Sequence, residues 1–134
     1  MTRDEILAGV KECVSQALDV PVAEIREEHR LIGDLGGDSL DLLDLTFHLE
    51  RRFSVKISPR DIEKRGRAKL GGTPWEVDGV LSSAALAELR SSMPEVPPEE
   101  LKDGLTVDGV PRVFRVATMV NVVSRLLEEQ TPRG

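Results

Sequence analysis

Apolar side chains recur at intervals of three and four over residues 3–18, where Ile6, Leu7, Val10, Val14, Ala17 and Leu18 form a single stripe. That period is helical, and Thr2 is placed to cap an amphipathic helix whose stripe faces a core. Cys13 lies beside the stripe and reads as a buried small hydrophobe rather than a reactive thiol. Val20-Pro21 ends the pattern, and a polar connection from Glu24 to Arg30 follows. Within and after it, Ile25, Leu31 and Ile32 are the anchors that would tie a long loop to the core. Gly36-Gly37 then breaks the chain just ahead of a strong helix start at Asp38-Ser39.

The helix predicted from Ser39 to Phe53 has two apolar sides. At 100° per residue Leu42, Leu45, Leu49 and Phe53 share one stripe, which we assign to the core. Leu40, Leu43 and Phe47 make a second stripe on the other side, bordered by Asp41, Asp44 and His48. An apolar stripe with an acidic border reads as a surface offered to a partner. Beyond it, Ser54 to Pro59 is a short extended link, and Asp61 to Arg65 reads as a brief helix capped by Ser58 with Pro59 in its first turn. Val116, Met119, Val120, Val123, Leu126 and Leu127 mark a final amphipathic helix, followed by a polar tail from Glu128 to Gly134.

Residues 66–113 differ in character. Gly66, Gly71, Gly72, Pro74, Gly79, Pro94, Pro97 and Pro98 interrupt them. Val77-Asp78-Gly79-Val80 signals a two-residue hairpin turn, and Ser82 is placed to cap a short helix over Ser83–Met93 with Leu86 and Leu89 inward. Trp75, Val77, Val80, Leu81, Leu86, Leu89, Met93, Val96, Leu101, Leu105 and Val110 are too many apolar residues for a disordered linker. A segment of about 48 residues without a disulfide is also near the lower limit for folding alone. We therefore expect one domain over 1–134, with a core of 1–65 and 114–130 and an insertion, 66–113, packed on that core.

Composition narrows the class. Of 134 residues 40% are hydrophobic but only 3% aromatic, with three Phe, one Trp and no Tyr, which favours helices packed by small aliphatics over a sandwich or barrel. The net charge is −6, and residues 1–64 hold 9 basic against 14 acidic side chains. A surface of that sign repels phosphate backbones, so no nucleic-acid partner is expected. One cysteine and two distant histidines offer neither a disulfide framework nor zinc spacing. Acids at Asp4 and Glu5 stand where a secretory signal needs an apolar stretch, and no apolar run approaches bilayer length. The expectation is a soluble, cytoplasmic protein without a transmembrane segment.

No GxSxG, HExxH or P-loop pattern is present, and His29 reads as a solvated loop residue. Asp34, Asp38 and Asp41 lack the alternation of a calcium loop. We assign no catalytic residue and no metal site, and expect no enzyme. What remains is Leu35-Gly36-Gly37-Asp38-Ser39-Leu40-Asp41, a serine hydroxyl at a helix N-terminus after a flexible turn. Unpaired N–H groups and the positive end of the helix dipole favour a phosphate there. The same residues also begin an ordinary helix, with Asp38 or Ser39 as its cap.

The wider context decides between these readings. Residues 31–64 resemble the acyl carrier protein family almost without gaps. The resemblance runs through Leu31-Ile32-Gly33-Asp34-Leu35-Gly36-Gly37-Asp38-Ser39-Leu40-Asp41 to Leu49-Glu50-Arg51-Arg52-Phe53, then Val55-Lys56-Ile57 and Asp61-Ile62-Glu63-Lys64. With the flanking helices it spans about two-thirds of the chain. It implies an all-α, four-helix bundle made of residues 3–18, 39–53, 59–65 and 115–128, with the insertion before the last helix. It also implies that Ser39 anchors a covalent 4′-phosphopantetheine, with Asp38 shaping the helix start.

On the same footing Leu40, Leu43 and Phe47 become the docking stripe, and Asp41 and Asp44 steer basic partners. Those partners would be a Mg²⁺-dependent phosphopantetheinyl transferase (holo-carrier synthase), an acyl-loading ligase or acyltransferase, and ketosynthase-type or other acyl-processing enzymes. The cargo would be acyl or polyketide-type intermediates held as thioesters by a monomer. A peptidyl or aryl carrier is the neighbouring alternative, and a helical interaction module without a prosthetic group the more distant one. Two features depart from the family. Arg51-Arg52 stands where many members continue a run of glutamates, which leaves Asp34, Asp38, Asp41, Asp44 and Glu50 as the acidic face. The insertion has a looser likeness to specialised bacterial carriers; it would lengthen an acyl cavity or, as we favour, add a partner surface.

Overall fold

In the computed structural model, which describes residues 1–58 and 60–130, Thr2 begins α1 (Arg3–Leu18) with a reciprocal cap. The Thr2 hydroxyl accepts the Glu5 N–H at 3.2 Å, and the Glu5 carboxylate accepts the Thr2 N–H at 2.8 Å. The same bond from the Thr2 N–H holds the Glu5 carboxyl below its ordinary range. α1 buries the expected stripe through Ile6, Val10 and Val14, and Cys13 with it. Burial pushes the Cys13 thiol pKa up, as suits a small hydrophobe.

α2 (Ser39–Phe53) turns Leu45, Leu49 and Phe53 into the same core, with Leu42 half-buried against it. Burying each such side chain contributes about 1.5–3 kcal/mol. α5 (Val116–Gln130) supplies Val116, Val120 and Val123 to that core and runs two residues further into the tail than its apolar period suggests. These three helices and their connections form one compact unit, Met1–Pro59 with Phe114–Gly134.

The long connection between α1 and α2 is tied down as its anchors foretell. Ile25 and Leu31 are fully buried, while Ile32 is half-buried. Backbone bonds then join the connection to the start of α5: Leu31 N–H to the Phe114 carbonyl at 3.1 Å, and Val116 N–H to the His29 carbonyl at 3.0 Å. His29 is therefore more than a solvated residue. Its Nδ1 also accepts the Arg26 N–H at 3.0 Å, so it shapes the loop.

Arg60–Val113 forms a second compact unit. It opens with α3 (Asp61–Leu70), a helix about twice the length expected, with Arg60 as the residue before it. Pro59, expected in its first turn, lies outside the described residues. α3 extends past residue 65 because Gly66 is not a break here. It is a buried contact point against which the Trp75 ring lies directly. A boundary drawn at residue 66 thus falls inside a helix.

β1 (Glu76–Val77) and β2 (Val80–Leu81) pair antiparallel around Asp78-Gly79, both at positive φ, which is the hairpin foretold. α4 (Ser83–Ser92) follows, with the Ser82 hydroxyl accepting the Ala85 N–H at 3.1 Å. Leu86 and Leu89 are inward, as expected, but Val77 and Val80 are not buried. They are cross-strand partners and so share one face of the hairpin, opposite the face on which Leu81 is buried. The expected all-α class holds: five helices and one two-residue hairpin are the regular elements among the described residues, apart from three 3₁₀ turns. Among those residues no helix is long and apolar enough to cross a membrane.

Candidate functional site

The site begins in the loop before α2. Asp34 Oδ2 accepts the Arg30 N–H at 2.9 Å, and the Arg30 guanidinium reaches the other oxygen at 3.4 Å. The backbone bond from Arg30 is the main reason the Asp34 carboxyl lies below its ordinary range. Gly36 has φ +75°, a left-handed conformation. Gly37 donates its N–H to the Leu31 carbonyl at 3.0 Å. A Cβ at Gly37 would stand 2.8 Å from that carbonyl oxygen and 2.9 Å from Leu18 Cδ2. The pair expected to be a flexible turn is instead a folded corner held from two sides.

That corner delivers the chain to a second reciprocal cap. Asp38 Oδ1 accepts the Asp41 N–H at 2.9 Å, and Asp41 Oδ2 accepts the Asp38 N–H at 3.0 Å. Asp38 is therefore the cap, which settles the choice left open between it and Ser39. Ser39 is the first helical residue and is exposed, and its hydroxyl has no hydrogen-bond partner among the described residues. The N–H groups of Ser39 and Leu40 lie in the first turn, ahead of the first intrahelical bond from the Leu42 N–H to the Asp38 carbonyl. This geometry offers a free hydroxyl oxygen at the positive end of a helix.

Next to Ser39 the second apolar stripe is in the open. Leu40 is 75% exposed, Leu43 43% and Phe47 51%, values that single them out from the buried side of α2. Asp44 borders them, with His48 Nε2 3.3 Å from its Oδ2. The five acids expected to form one face have different roles in the structure. Asp34 closes the loop, Asp38 and Asp41 close the cap, and Glu50 accepts the Ile57 N–H at 2.8 Å. Asp44 is exposed beside the stripe, with its carboxylate against His48 Nε2.

Residues 8–66 match the family described as "Phosphopantetheine attachment site". The acyl carrier protein of Thermotoga maritima is 46% identical over 63 residues, covering 47% of this chain and 78% of that relative. The chain belongs to the acyl carrier protein family. Acyl carrier proteins of Exiguobacterium sp. and Wolinella succinogenes, each 39% identical, cover 48% and 44% of this carrier and 81% and 78% of their own length. These matches reach about half of the chain rather than two-thirds, and the family match ends at residue 66, ahead of the last helix.

Membership makes this protein a carrier rather than an enzyme, with 4′-phosphopantetheine as its covalently attached prosthetic group. The residues at the start of α2 fit such a group. An exposed serine oxygen stands free of the capping bonds, and no side chain has to be displaced to expose it. Two features of the carrier's site escaped the sequence reading: the Arg30–Asp34 closure and the close seat of Gly37 on the Leu31 carbonyl. The first had an available signal in the i, i+4 spacing; the second had none.

Proposed function

We propose that Ser39 is the residue that carries 4′-phosphopantetheine, and that this carrier holds acyl or polyketide-type carboxylic intermediates for separate enzymes. The supporting observation is the division of labour at the helix start, where Asp38 caps α2 and leaves the exposed Ser39 hydroxyl unbonded. When bound, the group supplies a terminal thiol on which carboxylic acids are held as thioesters. The Ser39 and Leu40 N–H groups, at the positive end of α2, would hold its phosphodiester, whose negative charge the helix dipole favours. Leu40, Leu43 and Phe47 bury against the partner, and Asp44 with Asp41 draws basic surfaces toward them. The partners proposed are a phosphopantetheinyl transferase, an acyl-loading ligase or acyltransferase, and ketosynthase-type or other acyl-processing enzymes.

Intact mass after incubation with a phosphopantetheinyl transferase and coenzyme A tests the assignment. Wild type gains one phosphopantetheine and Ser39→Ala gains none. Ser39 is not the cap, so the substitution costs no more than about 0.5 kcal/mol and the variant keeps its circular dichroism. A Ser39→Ala protein that is still loaded would overturn the reading.

A further inference from the structure

The exposed face of α2 ends in a positive charge. Taking Leu40 as origin and 100° per residue, Asp44, Phe47 and Arg51 all fall within about 40° of one line along the helix. Arg51 is exposed and makes no ion pair or hydrogen bond with a described residue. Its neighbour is already committed, since Arg52 Nη1 holds Glu12 Oε2 of α1 at 2.8 Å. Glu50 is likewise held, by the Ile57 N–H. The two arginines that look alike in the chain are therefore different, one part of the helix pairing and one aligned with the docking stripe. From Asp44 to Arg51 the rise is about 10 Å, close to the screening length at physiological ionic strength, so a partner meets the two charges separately.

We propose that Arg51 is a specificity-determining residue of this carrier, matching partner enzymes whose apolar groove is basic toward Ser39 and carries a carboxylate toward Arg51. This rests on the reading above that the Leu40, Leu43 and Phe47 stripe docks partner enzymes. A uniformly basic docking surface meets Asp44 well and is repelled at Arg51, so it associates more slowly and less tightly.

The test measures kcat/KM for malonyl transfer to the loaded carrier by a bacterial malonyltransferase chosen for a basic docking surface. A form of that enzyme with the nearest docking-rim lysine or arginine replaced by glutamate runs in parallel. Arg51→Glu raises kcat/KM on the basic enzyme about threefold to tenfold, through KM, with the gain shrinking at high salt. Arg51→Gln gives part of it, and Arg52→Gln less than about twofold. On the glutamate-bearing enzyme the order inverts and wild type becomes the better substrate. No gain for Arg51→Glu, or an equal gain for Arg52→Gln, overturns the inference. Phe47→Ala separates the two levels. If it impairs transfer while Arg51→Glu is silent, docking stands and the role of Arg51 falls. If transfer ignores Phe47→Ala, the docking reading fails and takes this inference with it.

Discussion

Replacing Gly37 by alanine probes the corner that presents Ser39. The new methyl would sit 2.8 Å from the Leu31 carbonyl oxygen and 2.9 Å from Leu18 Cδ2. Leu18 is half-buried at the end of α1 and its side chain can yield. Leu31 cannot, because its side chain is fully buried and its N–H is bonded to the Phe114 carbonyl at 3.1 Å. The corner must therefore open, which lengthens or breaks the 3.0 Å bond from the Gly37 N–H. A lost hydrogen bond costs about 1 kcal/mol and overpacking about 1–3 kcal/mol, so we expect a loss of about 2–4 kcal/mol.

Urea unfolding followed by far-ultraviolet circular dichroism measures that loss, and loading at the proposed site, Ser39, by a phosphopantetheinyl transferase is expected to slow with it. Gly36 supplies the control. Its φ is +75° with nothing within 4 Å of a built Cβ, so Gly36→Ala costs only backbone strain, about 1 kcal/mol. Asparagine tolerates that conformation, and Gly36→Asn recovers much of the loss, whereas Gly37→Asn recovers none. A Gly37→Ala protein within about 0.5 kcal/mol of wild type, or an asparagine rescue at residue 37, would refute the close-approach argument.

Two further outcomes are expected. Gly66→Ala gains about 1 kcal/mol in helix propensity but forces a methyl into the Trp75 ring at about 1–3 kcal/mol, for a net loss read as an earlier urea transition in Trp75 fluorescence. A later transition would mean the ring does not lie on the helix there. The Asp34 carboxyl is held below its ordinary range, so its contribution to stability is present above the ordinary carboxylate range and disappears as pH falls through the lowered folded value. Asp34→Asn should thus cost more at about pH 7 than at about pH 3, and a flat or inverted difference in urea midpoints would count against the Arg30 bond.

Signals confined to a few neighbouring residues were legible without coordinates. The caps at Thr2 and Ser82, the turn at Asp78-Gly79 and the two stripes of α2 all follow from spacing, side-chain hydrogen bonding and permitted φ. The serine motif pointed to its family for the same reason, since its residues are contiguous. Tertiary structure decided matters in which distant residues compete for one place. It paired Arg52 with Glu12 and left Arg51 in the open, and seated Gly37 on the Leu31 carbonyl. It also brought the last helix into the core of the first two and laid Trp75 on Gly66 so that α3 runs on to Leu70. A helical period states that a face is apolar. What that face meets is set by packing between residues far apart in the chain, which no local pattern encodes.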